Sequence, residues 1–349
     1  QVSVLKSLAV REACRTMPPV LTSRGPSWAE LAGGAALLCG LVAVGDAVRQ
    51  RALARRSNNR QSQRRVLQAP RDTRPADVPV GSSRWRLDGC RVLITGSTKG
   101  IGLAAAEDFL QHGASVFLVA RGAEDVTSTM SRLVESFKAD GRVHGLAADV
   151  STETGRAALV HAVSAVQGWE EGLDCVVNNA GTNVRKSALE ATDEEYSSIM
   201  QTNVASVWFL SKSLQPLLAR SSRPCIVNVS SVAGVTSTGS GGIYAMSKAA
   251  VVQLTKTLAC EWAQYGIRVN CVAPWVTRTP MLAAAIEKNP SSIQKNCEWT
   301  PLHRPAEPEE ISAAILFFAL PCASFISGQT LCVDGGLLAN GFAGPCVEG

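Results

Sequence analysis

Four short apolar runs, separated by three stretches of helical spacing, constrain this chain more than any other feature. The runs are Arg91-Val-Leu-Ile-Thr95, Ser115-Val-Phe-Leu-Val-Ala120, Val143 to Val150 and Leu173 to Asn178. Helical segments follow Gly102 and cover about residues 123–140 and 153–167. Strands joined by helices lie parallel, because each crossover returns the chain to the same edge and packs a helix on a sheet face. The pattern predicts a parallel sheet covered on both sides. Ligands of such sheets gather beyond the C-terminal ends of the strands.

The turn after the first run carries the clearest ligand signal. Gly96, Thr98, Lys99, Gly100, Ile101 and Gly102 stand between a strand and a helix. Glycines there let backbone approach a pyrophosphate, and the helix N-terminus supplies amide groups and a positive dipole. At the end of the second run Ala120 cannot hold a ribose hydroxyl, whereas Lys99 and Arg121 offer two cations for a 2′-phosphate, which favours NADP(H). Asp149 and Val150, ending the third run, are placed to meet the adenine. Asn179, at the end of the fourth, is either a cofactor contact or a turn cap.

Tyr244 and Lys248 are four residues apart and share one helix face. A free phenol titrates near ~10. A cation at ~4 Å, with an effective dielectric constant of ~20, is worth up to ~4 kcal/mol, or roughly three pH units. The pair is expected to make a proton donor. Ser231 can donate to the same oxygen if a strand end and a helix start converge there.

Charge divides the chain. Residues 1–83 hold 13 Lys+Arg against 5 Asp+Glu, leaving 21 against 24 for residues 84–349. The second part is mildly acidic and lacks the basic footprint of a nucleic-acid binder. The eleven cysteines are odd in number, form no CxxC and sit mostly in apolar runs, while the four histidines are scattered. They read as core residues in a reducing compartment, with no metal site. Residues 1–83 read as a leader and linker, mostly disordered, and residues 84–349 as one catalytic domain. Leu31 to Gly45 is a charge-free segment of 15 residues, short of the ~20 that span a bilayer. It resembles a signal core, and the Arg-rich, acid-poor stretch behind it resembles a transit peptide. A plastid address is expected, with cytoplasmic or membrane-anchored location as the alternatives; the mature protein is not expected in a membrane.

From about Arg84 to Phe342 the chain resembles the short-chain dehydrogenase/reductase family, within it the tropinone reductase-like group. TGSTKGIG from Thr95, NNAG from Asn178, Asn203 in QTNVAS, Ser231 in IVNVSS, YAMSK from Tyr244 and SGQTLCVDGG from Ser327 occur in order. LACEWAQYGIRVN from Leu258 and VDGGLLANGF from Val333 are nearer the tropinone reductase-like members. The resemblance implies a Rossmann-type, doubly wound parallel sheet of seven strands, the later ones at Cys225 to Ser230, Ile267 to Ala273 and Thr330 to Asp334. It implies a catalytic group in which Asn203 holds a relay water, Ser231 bonds the substrate carbonyl, Tyr244 passes a proton and Lys248 lowers the Tyr244 pKa and binds the nicotinamide ribose. It also implies cofactor contacts at Pro274, Thr277 and Thr279, and a homodimer or homotetramer packed through long helices near 193–219 and 243–265. Trp275 departs from the Pro-Gly common in the family.

The expected activity is NADPH-dependent interconversion of a small ketone and a secondary alcohol. A 3-oxoacyl-carrier-protein reductase would use the same four residues but needs a basic docking surface. A non-catalytic NADPH-binding sensor is the third reading. Residues 275–300 are expected to cover the site, with Trp275, Met281, Leu282, Ile286 and Trp299 making it partly apolar and suited to a hydrophobic or cyclic carbonyl compound.

Overall fold

The computed structural model describes residues 81–288 and 291–340. The leader expected over residues 1–83 therefore lies almost wholly outside the described residues. Seven parallel strands form one sheet: β1 (Arg91–Thr95), β2 (Ser115–Ala120), β3 (Val143–Ala147), β4 (Cys175–Asn178), β5 (Cys225–Val229), β6 (Arg268–Pro274) and β7 (Thr330–Val333). Their spatial order is β3-β2-β1-β4-β5-β6-β7. The winding reverses between β1 and β4, which opens a crevice at their C-terminal ends.

Nine helices complete the layers: α1 (Gly100–Gln111), α2 (Ala123–Phe137), α3 (Glu153–Ser164), α4 (Asp193–Met200), α5 (Ser206–Leu218), α6 (Gly242–Glu261), α7 (Pro280–Lys288), α8 (Ser291–Trp299) and α9 (Pro308–Ala319) among the described residues. The strands are apolar at successive positions because both faces are covered. Val92 and Ile94 pack with Phe109 of α1, Leu133 of α2 and Ile315 of α9. Leu93, pointing the other way, packs with Leu159 of α3, Leu214 of α5 and Leu258 of α6.

Two departures from the sequence expectation lie beside the crevice. The third strand stops at Ala147 rather than reaching Val150, because Asp149 Oδ1 accepts from the Ser151 amide at 2.9 Å and hydroxyl at 2.7 Å and turns the chain. The helix expected over 193–219 is interrupted by a π-helical turn, Gln201–Ala205. That one wider turn rotates Asn203 into the protein, where it is 1% exposed.

Close backbone approach fixes the first turn. A Cβ on Gly102 would stand 2.3 Å from the Gly96 carbonyl oxygen and 2.5 Å from Asn179 Nδ2. Only glycine lets α1 start so near the end of β1.

Candidate active site

A cleft of about 630 Å³ lies over the C-terminal ends of β1, β4, β5 and β6. Gly96, Thr98, Lys99, Gly100 and Ile101 line it from the first turn, Arg121 from the end of β2, and Asp149 and Val150 from beyond β3. Pro274, Thr277 and Thr279 line it from the end of β6 and the turn after it, and Ser231, Tyr244 and Lys248 converge at its centre. Of the residues singled out in the sequence, Gly102 and Asn203 stand behind the wall. The first amides of α1 receive no side-chain cap, and Gly96 and Gly100 place no side chain at either end of the turn. Such a cradle fits a pyrophosphate.

The convergence of Ser231 with Tyr244 and Lys248 has a local cause. A 3-10 turn, Val232–Gly234, follows β5. A Cβ on Gly234 would stand 2.6 Å from the Lys248 carbonyl carbon, so this glycine lets the turn rest on the α6 backbone. The Ser230 hydroxyl donates to the Lys248 carbonyl at 2.8 Å, and Lys248 Nζ donates to the Val229 carbonyl at 3.0 Å. Strand end and helix start are thus stapled together at three points. Neither Ser230 nor Gly234 was singled out by the sequence reading, since close backbone packing leaves no chemical signature.

The electrostatics differ from the expectation for a Tyr-x-x-x-Lys pair. Burial pushes the Tyr244 phenol above the ordinary tyrosine range, opposed by the Ser231 hydroxyl and by Arg185. The Lys248 ammonium lies 5.7 Å from the Tyr244 ring centroid and is engaged with Val229, and burial pushes its own pKa down to about 8. At Tyr244 desolvation outweighs the Ser231 hydrogen bond and the Arg185 charge.

Asn203 is a positioning residue by geometry. Its Oδ1 accepts from the Thr182 amide at 2.8 Å, and its Nδ2 donates to the Thr182 carbonyl at 2.9 Å and to Ser247 Oγ at 3.0 Å. Ser247 in turn donates to the Tyr244 carbonyl at 2.7 Å. Both amide hydrogens are taken, so the side chain ties the loop after β4 to α6. Asn179 lines the cleft and also holds the turn: its Nδ2 donates to the carbonyls of Thr95 at 2.9 Å and Gly96 at 3.0 Å.

At the far end of the cleft Lys99 Nζ pairs with Asp125 at 3.0 Å, both half-exposed. Asp125 lines the cleft beside Arg121 and was missed, because an acid in a first helical turn reads as a response to the helix dipole. Of the five residues expected to make the cover apolar, Trp275, Met281 and Leu282 line the cleft; Ile286 and Trp299 do not. The opposite wall is polar, with Thr182, Asn183, Arg185, Ser198, Thr202 and Ser240.

A family model described as enoyl-(acyl carrier protein) reductase matches residues 96–338. A tropinone reductase homologue of Arabidopsis thaliana is 41% identical over 261 residues, spanning 74% of this chain and 96% of that protein. The chain belongs to the short-chain dehydrogenase/reductase family. A second Arabidopsis thaliana relative, a tropinone reductase homologue named chloroplastic, is 41% identical over 263 residues, covering 75% of this chain and 80% of its own length. Among solved structures, L-sorbose reductase from Gluconobacter frateurii, complexed with NADPH and L-sorbose, superposes with a TM-score of 0.68 at 32% identity, over 73% of this chain and 98% of that one. The fold of this family member is therefore shared with reductases across its whole described sheet.

Burial of Lys248 generates a pH prediction. Its folded pKa is about 8 against an ordinary 10.5. Below pH 8 both folded and unfolded chains carry the proton and the burial penalty is fully present; between pH 8 and 10.5 only the unfolded chain carries it, so this group's contribution to stability rises with pH. Urea unfolding of the unliganded protein should show wild type gaining up to about 3 kcal/mol relative to Lys248→Met across that window. Parallel pH profiles for the two proteins would show that the ammonium is not desolvated.

Proposed function

We propose that the protein is an NADP(H)-dependent oxidoreductase that interconverts a ketone and a secondary alcohol. The observation that carries this reading is that Ser231, Tyr244 and Lys248 line the same cleft as the glycine turn, Lys99 and Arg121. NADPH bound there supplies the hydride. Ser231 donates a hydrogen bond to the substrate carbonyl oxygen, and Tyr244 gives that oxygen its proton as negative charge develops. A phenol held above its ordinary range keeps its proton at neutral pH, which suits a donor. Lys248 gives the centre a positive potential and would hold the cofactor ribose. Asn203 and Ser247 fix the loop and the helix turn between which the reaction occurs. Arg121, beside Lys99, would take the 2′-phosphate, in keeping with the NADPH held by the L-sorbose reductase.

The carrier-protein alternative gains little from the surface around the site. Lys186 and Arg278, two cations on its rim, are paired with Glu195 at 2.6 Å and Glu307 at 2.7 Å.

The same proposal gives residues 1–83 the role of a leader and residues 84–349 that of the catalytic domain. A plastid destination is supported by the Arg-rich leader and by the relative named chloroplastic; a fluorescent fusion found elsewhere in the cell would remove it. Among the described residues no helix is long and apolar enough to cross a membrane. Assembly as a homodimer or homotetramer is supported by Tyr196, Trp208 and Phe209, large side chains of α4 and α5 that are 42–44% exposed. Sedimentation as a monomer would contradict it.

Tyr244→Phe should keep NADPH affinity within a few-fold and lose at least about a hundredfold in kcat with any accepted ketone; surviving turnover would assign the proton to another group. Arg121→Ala should weaken NADPH, measured by fluorescence titration, by more than it weakens NADH. Equal losses would mean that Arg121 does not read the 2′-phosphate.

A further inference from the structure

The nature of the substrate, on the reading just proposed, is written in the half of the cleft beyond Tyr244. Charge there is one-sided. The two acids that line the cleft, Asp125 and Asp149, both stand at the end reached from β2 and β3. The remaining lining residues include Lys248 and Arg185 but no carboxylate. Among the described residues Arg185 has no ion-pair partner, whereas its neighbour Lys186 is bonded to Glu195 at 2.6 Å. Arg185 is near enough to Tyr244 to oppose part of what burial does to the phenol.

The segment carrying Arg185 is anchored on both sides. Thr182 is held through its amide and carbonyl by Asn203. Further on, the carbonyl oxygens of Val184 and Lys186 pack on Gly241, where a Cβ would stand 3.2 and 3.4 Å from them; Gly241 also takes a φ of +94°. Between the anchors, Asn183 lines the cleft with a buried side-chain oxygen that has no hydrogen-bond partner. An anchored segment that presents an unpaired guanidinium to the cleft is placed to receive an anionic group from a ligand, while the Asn183 oxygen, an acceptor, calls for a separate donor.

We propose that the substrate is a ketone bearing a carboxylate near the reducible carbonyl, and that Arg185 binds that carboxylate while Ser231 and Tyr244 hold the carbonyl oxygen. One planar guanidinium matches one carboxylate by two parallel hydrogen bonds, whereas a phosphate dianion calls for more cations than this wall supplies. A ketone bearing an ammonium at the same place meets the like charges of Arg185 and Lys248.

The test compares three ketones on one carbon skeleton, the keto acid, its methyl ester and the corresponding amino ketone, by kcat/KM at saturating NADPH. Wild type should favour the acid over the ester by about tenfold to a hundredfold, the range for a charge-assisted hydrogen-bonded pair. Arg185→Ala should lower kcat/KM for the acid at least about tenfold more than for the ester, so that the preference is lost, and Arg185→Lys should recover part of it. Added salt should depress the acid's kcat/KM more than the ester's. Equal rates for acid and ester in wild type, or equal losses for both in Arg185→Ala, would overturn the assignment. NADPH titration checks that the variant folds. Turnover of none of the three by a protein that binds NADPH counts against the reductase reading itself. The anion site is then judged alone, by malonate binding to the NADPH complex: at least about tenfold weaker binding to Arg185→Ala supports it, and equal binding refutes it.

Discussion

The contact between Gly234 and the backbone of Lys248 is the constraint on which the site depends. A parallel sheet brings its strand ends to one edge, but it does not bring a serine from a strand end onto the side of a long helix. Here the missing side chain of Gly234 allows a backbone approach that a Cβ, 2.6 Å from a carbonyl carbon, would forbid. Ser230 and Lys248 then close the junction with hydrogen bonds across it. Ser231 meets Tyr244 because Val229 and Ser230 before it and Gly234 after it are already held.

That junction also explains the unusual state of its ions. Lys248 is 4% exposed and faces a backbone carbonyl instead of a carboxylate. A buried ammonium with one neutral partner is destabilised, which is why its pKa falls toward 8. The same dry surroundings raise the phenol. Both groups are thereby held away from their solution behaviour, a condition typical of sites that move protons. Stability is lost at Lys248 and recovered in the surrounding core, where α5 and α6 bury leucines against the sheet.

Much of this was legible beforehand. The first four strands follow from apolar runs, and the glycine turn follows from its place between strand and helix. Tyr244 and Lys248 are marked by their spacing. The role of Asn203 was not legible: a π-helical turn of five residues looks like any other stretch of helix in sequence, yet it decides that the amide faces Thr182 and Ser247 rather than solvent. Asp125 was hidden in the same way, because its meaning depends on Lys99, 26 positions earlier in the chain. The expectation of a partly apolar pocket came from one wall only. Trp275, Met281 and Leu282 lie close together in sequence, whereas the polar wall is assembled from segments as far apart as Thr182 and Ser240.

Periodicity and glycine placement are local properties; they pointed to the first four parallel strands, to the glycine turn and to the Tyr244 and Lys248 pair, and the family resemblance added the remaining strands, Asn203 and the role of Ser231. The tertiary structure decided how those residues are charged and which of them are free to act. Desolvation, carbonyl partners and backbone contact distances arise only when distant segments meet, and no spacing along the chain encodes them.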